Sequence, residues 1–142
     1  MHWPAVIHEG GRITGFVGHF IDVMVTIVDI SSATYPKSYN GRAIPYYEGQ
    51  SLLPVFRGYD SVRADPLFWE WRTGRAARSG NWKIVSSNSD EIGGNGDWEL
   101  YDMSVDKTET HNLADEMPHV IKQLDLLYKD WWADLPMKSA GG

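Results

Sequence analysis

The strongest pattern of hydrophobic and polar positions lies near the C-terminal end of the chain. Pro118 suits the first turn of a helix, where proline loses no needed hydrogen bond, and Pro136 ends it. Between them, apolar side chains recur at spacings of three and four: Ile121, Leu124, Tyr128, Trp131 and Leu135. This spacing puts them on one helical face. The pattern predicts a helix over residues 118–135 that covers a core.

A second apolar segment, residues 20–30, is rich in β-branched side chains, and propensity alone favours a strand there. The spacing of its polar residues favours a helix instead. Asp22, Thr26 and Asp29 are four and three positions apart, which places them on one face of a helix. The spacing predicts a short, mostly buried helix over residues 18–31.

Three segments in the middle of the chain have the pattern of strands. Residues 67–71 are rich in aromatic side chains, and residues 81–85 and 98–102 begin with alternating polar and apolar positions. The glycine-rich residues 93–96 precede a strand rather than a helix, which favours a hairpin turn over a phosphate-binding loop. We expect a small antiparallel sheet with one face covered by the C-terminal helix, and therefore an α+β fold.

Residues 35–58 contain six glycine or proline positions, which predicts a long ordered loop rather than a regular element. Within the loop, the apolar residues 51–56 are interpreted as an anchor. The chain has 142 residues, which fits about one domain of roughly 100–200 residues.

Composition excludes several classes of function. Thirteen basic and nineteen acidic side chains give a net charge of −6, which disfavours a nucleic-acid surface. No cysteine is present, so disulfides, thiolate metal sites and a cysteine nucleophile are excluded. No apolar run predicts a membrane span, and the first residues lack the pattern of a signal peptide.

The charge is unevenly distributed. Residues 72–83 hold four basic side chains and no acid, whereas residues 90–116 hold nine acids and Lys107. Two solvated faces that partly neutralise each other are the favoured interpretation, and a surface that recruits an anionic ligand is the alternative.

The residues alone indicate no active site. Five histidines are present, and none has the spacing of a metal site: His2, His8, His19, His111 and His119. The sequence contains no Gly-x-Ser-x-Gly nucleophile motif and no phosphate loop.

Several phrases, taken in their order along the chain, nevertheless resemble the C-terminal part of type I sulfatases, the arylsulfatase family of the alkaline-phosphatase-like superfamily. The phrases are Gly18-His19-Phe20-Ile21-Asp22-Val23-Met24, Gly49-Gln50-Ser51-Leu52-Leu53-Pro54, Leu67-Phe68-Trp69-Glu70, Arg78-Ser79-Gly80-Asn81-Trp82-Lys83, Trp98-Glu99-Leu100-Tyr101-Asp102 and Asn112-Leu113-Ala114. His2-Trp3-Pro4 is similar to a strand of the family's catalytic domain.

The resemblance implies a division of the chain into three parts. Residues 1–34 would be the tail end of an alkaline-phosphatase-like α/β catalytic domain, with its last strand and helix. Residues 35–65 would be an ordered connecting loop, and residues 66–142 the C-terminal sulfatase subdomain. Apolar side chains would then lack cover without the rest of that domain: Trp3, Phe16, Phe20, Ile27 and Phe56.

In an intact sulfatase, a formylglycine made within a Cys/Ser-x-Pro-x-Arg motif attacks a sulfate ester, and a calcium ion stabilises the charge. This chain lacks that motif, so we expect no catalytic residue, no metal ligand and no cofactor in it. The expected partners are the missing N-terminal sulfatase domain and, in the intact enzyme, a sulfate ester. Many members of the family are periplasmic, secreted or lysosomal.

The resemblance also implies substrate-binding residues. Where such sulfatases usually read Trp-Glu-His-Glu-Gly-Asn-Arg-Ala, this chain has Trp71 in place of the histidine and Arg72 beside it. That loop lies towards the pocket mouth in the family, so Trp71, Arg72 and Arg75 are candidate substrate-binding residues, and neutral drift is the alternative. A second hypothesis makes the chain a non-catalytic module that binds sulfated ligands or a partner chain.

Overall fold

The computed structural model describes residues 13–44, 48–87 and 95–135. The chain divides into two compact units, Met1–Arg63 and Ala64–Gly142. In its described part, no helix has the length and apolar character that crossing a membrane requires.

The described residues of the first unit form two helices and a small hairpin: α1 (Asp22–Ser31), β1 (Ser38–Tyr39), β2 (Arg42–Ala43) and α2 (Leu53–Phe56). The expectation that residues 35–58 hold no regular element is therefore wrong. Asn40 and Gly41 both have positive φ (49° and 75°), which is the geometry of a two-residue hairpin turn and pairs β1 with β2. The predicted apolar anchor is confirmed, since Leu52 and Val55 are buried.

Helix α1 is confirmed as an element, but two features of its prediction are wrong. It begins at Asp22 rather than residue 18, because residues 19–21 form a turn in which the Asp22 carboxylate accepts a hydrogen bond from the amide of His19 (2.7 Å). The helix is also not mostly buried. On its polar face Asp22 and Thr26 are buried and Asp29 is exposed, and Ile27 is one of several apolar side chains that are exposed.

In the second unit the described residues form a four-stranded antiparallel sheet and one long helix: β3 (Leu67–Trp71), β4 (Gly74–Ser79), β5 (Trp82–Ser87), β6 (Glu99–Asp102) and α3 (Pro118–Asp134). The spatial order of the strands is their order along the chain. The predicted strands β3, β5 and β6 and the predicted C-terminal helix are confirmed. The turn expected at residues 93–96 lies largely outside the described residues.

One row of side chains across the sheet faces α3 and forms the core. Phe68, Ala77, Ile84 and Leu100 are register partners on successive strands. They pack against the buried face of α3, which contributes Val120, Leu124 and Tyr128. Because strand side chains alternate, the opposite face of the sheet carries a different set, which includes Trp69, Lys83 and Tyr101.

The segment after β6 returns along the outer edge of that strand. The Leu100 carbonyl accepts a hydrogen bond from the Leu113 amide (2.8 Å), and the Leu100 amide donates to Asn112 Oδ1 (3.0 Å). The Asn112 side chain thus accepts the hydrogen bond that a carbonyl of a neighbouring strand would otherwise accept. Backbone groups at the edge of β6 are therefore paired, although no further strand lies beside them.

Candidate functional site

The candidate substrate-binding residues lie at the hairpin that joins β3 to β4. Trp71 and Gly74 are register partners, so Arg72 and Thr73 alone form the turn. Arg72 has a φ of 52°, in the left-handed region that favours glycine. A long charged side chain held in this conformation is a local strain of the kind found at functional loops.

Trp71 and Arg72 together form an exposed feature at this turn. The Trp71 side chain is 76% exposed, and the Arg72 guanidinium carbon lies 5.8 Å from the centre of its ring. A flat apolar surface beside a permanent positive charge can stack on a ring and pair with an anionic group on it. The structure therefore brings together two of the three candidate residues.

Arg75 is placed differently. It lies on the face of the sheet that α3 covers, with its guanidinium carbon 4.3 Å from the centre of the Trp98 ring and 6.0 Å from that of Tyr128. Its Nη2 donates a hydrogen bond to the carbonyl of Gly96 (3.1 Å). The same carbonyl accepts a hydrogen bond from the hydroxyl of Ser86 (2.8 Å). Arg75 therefore connects strand β4 to the start of the segment that leads into β6.

Tyr128 completes this cluster, although the sequence pattern indicated only that it packs in the core. Its hydroxyl donates a hydrogen bond to a carboxylate oxygen of Glu70, the register partner of Arg75. Burial and the adjacent Glu70 raise the pKa of Tyr128 above its ordinary range, while the charge of Arg75 opposes them. The phenol therefore remains protonated and serves as a hydrogen-bond donor between α3 and β3.

The opposite face of the sheet carries a second charged cluster. Lys83 Nζ lies 6.0 Å from the centre of the Trp69 ring and 2.5 Å from Oε1 of Glu109, so an ion pair joins the basic and the acidic segments of the sequence. The Tyr101 hydroxyl donates to Glu99 (2.8 Å), and burial together with this acid raises the pKa of Tyr101 to about 12. The ion pair with Glu109 therefore neutralises the charge of Lys83, one of the four basic side chains of residues 72–83.

The first unit contains a buried polar network centred on Asp22. Its carboxylate accepts hydrogen bonds from the amides of His19 (2.7 Å) and Gln50 (2.9 Å) and from the guanidinium of Arg63. Burial alone would raise the pKa of Asp22, but these hydrogen bonds and the charge of Arg63 outweigh it and leave the pKa below its ordinary value. The network links α1 to the segment before α2.

The described side chains form no metal-binding group, and the sequence does not contain a Cys/Ser-x-Pro-x-Arg motif. Residues 13–44, 48–87 and 95–135 hold no group of three or more histidines, cysteines, aspartates or glutamates that could bind a metal ion. They therefore do not fit the calcium ion, and a sequence without cysteine or a Ser-x-Pro-x-Arg motif does not fit the formylglycine. Of the histidines, His2 and His8 lie outside the described residues, while His111 and His119 are exposed.

Comparison with known proteins identifies the class of protein to which these features correspond. No protein-family model matches the chain. A relative described as an uncharacterized sulfatase of Schizosaccharomyces pombe is 32% identical over 107 residues, which are 73% of this chain and 19% of the relative.

Three solved structures have a similar fold. A protein from the glycosaminoglycan metabolism of Bacteroides thetaiotaomicron matches with a TM-score of 0.57 and 22% identity over 77% of this chain and 24% of its own. A 2-O GAG sulfatase matches with a TM-score of 0.52 and 25% identity over 78% and 23%. A protein solved in complex with its substrate D-glucosamine-2-N,6-O-disulfate matches with a TM-score of 0.52 and 21% identity over 77% and 22%.

These matches identify the chain as a C-terminal part of a sulfatase. The predicted α+β fold, a small antiparallel sheet with a C-terminal helix, is confirmed by its match to the C-terminal part of sulfatase structures. The chain spans about a fifth to a quarter of the length of these relatives, so an N-terminal domain of theirs has no counterpart in it.

Proposed function

We propose that this chain is the C-terminal part of a sulfuric ester hydrolase and that it does not hydrolyse sulfate esters alone. The observation that carries the proposal is the partial match to sulfatases. In an intact sulfatase a formylglycine supplies the nucleophile and calcium stabilises the developing charge. The described residues of this chain fit neither group, and that supports the proposed inactivity.

The contribution of this chain to the intact enzyme is contact with the substrate at the β3–β4 turn. The Trp71 ring is exposed and the Arg72 guanidinium lies 5.8 Å from its centre, so the pair can stack on a ring and attract a sulfate group. Arginine suits this task because its planar guanidinium matches the oxygens of tetrahedral anions. A sulfate ester on a ring-shaped molecule is the substrate that fits this arrangement.

Arg75 acts as a positioning residue in this proposal. Its guanidinium contacts the Trp98 ring and the Gly96 carbonyl, and the residue lies one position after Gly74, the first residue of β4. It holds the base of the hairpin while Trp71 and Arg72 reach the ligand. Its substitution should therefore lower stability as well as weaken substrate binding.

Kinetics of the intact enzyme test this role. In a polypeptide that joins the chain to its upstream sulfatase part, Trp71→Ala and Arg72→Ala should each raise KM for a sulfate ester by about tenfold, a loss of about 1.4 kcal/mol of binding. Arg57→Ala, at an exposed arginine of the first unit, is the control and should leave KM unchanged. Unchanged KM in both test variants would contradict the proposed contact.

The same exposed pair also suits a second candidate function, a non-catalytic module that binds sulfated ligands. The 142-residue chain alone should then bind a sulfated resin, with affinity lost at high salt and in Arg72→Ala. A net charge of −6 disfavours this candidate. No retention on the resin would exclude it and leave the hydrolase proposal in place.

A further inference from the structure

The chain contains two Asn-Gly dipeptides, Asn40-Gly41 and Asn95-Gly96. An asparagine that precedes glycine is prone to spontaneous deamidation, because glycine has no Cβ atom to hinder its own amide nitrogen. That nitrogen attacks the side-chain carbonyl carbon of the asparagine, and ammonia leaves. Since the two dipeptides have the same chemistry, the structure around each one determines how fast it reacts.

The first dipeptide, at the turn of the β1–β2 hairpin, is open to solvent. Residues 36–43 are all exposed, and a Cβ atom added at Gly41 would meet nothing within 4 Å. No described residue forms a hydrogen bond with the Asn40 side chain or accepts one from the Gly41 amide. Water and hydroxide can therefore reach both reacting groups.

The hairpin itself resists the reaction only weakly. Closing a ring between the Asn40 side chain and the Gly41 nitrogen requires rotation of the backbone, so the turn has to open. The hairpin has two register pairs, of which Tyr39 and Arg42 lie next to the turn, and no third described strand lies beside it. An isolated two-stranded hairpin is marginally stable in water, so its local opening costs little free energy.

The second dipeptide is held by hydrogen bonds at both reacting groups. The Asn95 side chain accepts a hydrogen bond from the Asp97 amide (3.0 Å) and donates one to the Asp97 carboxylate (2.6 Å). The Gly96 amide, which would be the attacking group, donates to the carbonyl of Ser87 (2.8 Å). These bonds have to break before a ring can close, and each broken bond lowers the population of the reactive conformation.

We infer that Asn40 is a site of spontaneous deamidation in the folded chain and that Asn95 is protected from it. Hydroxide removes the proton of the Gly41 amide, and the nitrogen attacks the Asn40 side-chain carbonyl carbon. The side-chain nitrogen takes a proton from water, which regenerates hydroxide, and leaves as ammonia from a five-membered succinimide. Water then opens the succinimide at either carbonyl to give aspartate or isoaspartate, so the chain loses ammonia, gains water and acquires one negative charge.

The isoaspartate product should disrupt the hairpin. Its main chain runs through the former side chain and is therefore one carbon longer between positions 40 and 41. Because loop length fixes the register of a two-residue hairpin, the pairing of β1 with β2 should be lost. This inference does not depend on the proposed function, and neither one's failure affects the other.

Peptide mapping of the folded 142-residue chain tests the inference. Trypsin releases residues 38–42 and residues 84–107, each with one of the two dipeptides. Deamidation raises the peptide mass by about 1 Da, and fragmentation assigns the change to one asparagine. At neutral pH the conversion of Asn40 should be about tenfold faster than that of Asn95 or more, whereas in concentrated urea the two rates should be similar because the protecting bonds are lost.

A variant at the protected dipeptide gives the reverse test. Asp97→Ala removes the carboxylate that binds the Asn95 side chain, so it should accelerate conversion of Asn95 and leave that of Asn40 unchanged. Equal rates at the two sites in the folded chain would overturn the inference. Conversion of Asn40 in urea but not in the folded chain would also overturn it, because the hairpin would then be protective.

A protein isoaspartyl methyltransferase with a labelled methyl donor distinguishes the two products, which have the same mass. The label should appear in the peptide of residues 38–42 after incubation of the chain at neutral pH. A deamidated peptide without label would contain aspartate alone, which would overturn the expected loss of hairpin register.

Discussion

The Asp22 carboxylate and the Arg63 guanidinium form a buried ion pair, with side chains 0% and 6% exposed, respectively. The two residues are 41 positions apart, so the pair closes a long loop within the first unit. Arg63 also donates through Nε to the carbonyl of Val17 (2.8 Å) and lies over the ring of Phe16. The pair therefore joins the residues before α1, α1 itself and the end of the unit.

Removal of the Asp22 charge should destabilise the first unit in a pH-dependent way. Asp22→Asn leaves Arg63 buried without its partner, which should lower the free energy of unfolding by about 3–5 kcal/mol at pH 7. Hydrogen exchange of the Leu52 amide, which is bound to Thr26, measures local opening of this unit.

The sign of the pH effect follows from the lowered pKa of Asp22. A carboxylate whose pKa is lower in the folded state stabilises that state above its unfolded pKa, near 3.8, and loses this effect as the pH falls through the folded value. The hydrogen-exchange protection of the Leu52 amide should thus decrease when the pH drops below about 4 in the unsubstituted chain. In Asp22→Asn the same protection should change less with pH. Equal acid sensitivity of the two would contradict the assignment.

Gly49 should be intolerant of any side chain. Its φ is 118°, and a Cβ atom there would lie 2.6 Å from the carbonyl oxygen of Ile21. Gly49→Ala should therefore destabilise the first unit by more than the roughly 1–2 kcal/mol that a left-handed conformation costs alone. Gly41→Ala is the matched control, because its φ is 75° and the space around it is open. Similar losses in both variants, measured by exchange of the Leu52 amide, would show that the predicted clash is absent.

Arg72→Gly should separate stability from function. Glycine adopts positive φ without strain, so the variant should stabilise the second unit by about 1 kcal/mol. Tryptophan fluorescence during urea unfolding measures the change, and Thr73→Gly, at the other turn position, should not be stabilising. A gain in stability together with a higher KM in the intact enzyme would support a residue retained for ligand contact. A loss of stability would contradict the prediction. It would mean that side-chain contacts of Arg72 stabilise the second unit by more than the strain at its positive φ costs.

Tyr128 should stabilise the second unit mainly through the packing of its ring. Tyr128→Phe removes the hydrogen bond to Glu70 and should cost about 1 kcal/mol. Tyr128→Ala also removes the ring that lies against Phe68, Trp98 and Trp131, and should cost about 3–5 kcal/mol. Urea unfolding of the two variants gives the comparison. Equal costs would mean that the hydroxyl rather than the ring holds α3 to the sheet.

Much of the second unit could be predicted from the sequence, because its patterns report local packing. The apolar spacing of α3 predicts its buried face, alternation predicts β5 and β6, and the aromatic residues 67–71 predict β3. Strand β4 was not predicted as a strand, since Gly74-Arg75-Ala76-Ala77-Arg78-Ser79 has no β-branched or aromatic residue. Its position between two predicted strands, with a short turn at each end, was the available signal.

The orientation of α1 could not be predicted, because periodicity separates two faces of a helix without showing which one is inside. In this chain Asp22 and Thr26 of the polar face are buried and hydrogen-bonded, whereas most of the apolar side chains are exposed. The candidate site shows a similar limit. The resemblance groups Arg75 with Trp71 and Arg72, but strand alternation and the ring of Trp98 place Arg75 on the face of the sheet opposite to Trp71.

The coding sequence immediately upstream of Met1 tests the central claim most directly. If the chain is the C-terminal part of a sulfuric ester hydrolase, sequencing the upstream DNA should show an open reading frame, continuous with Met1, that encodes a Cys/Ser-x-Pro-x-Arg motif. An in-frame stop codon with a ribosome-binding site directly before Met1 would contradict the claim and favour a separate binding module.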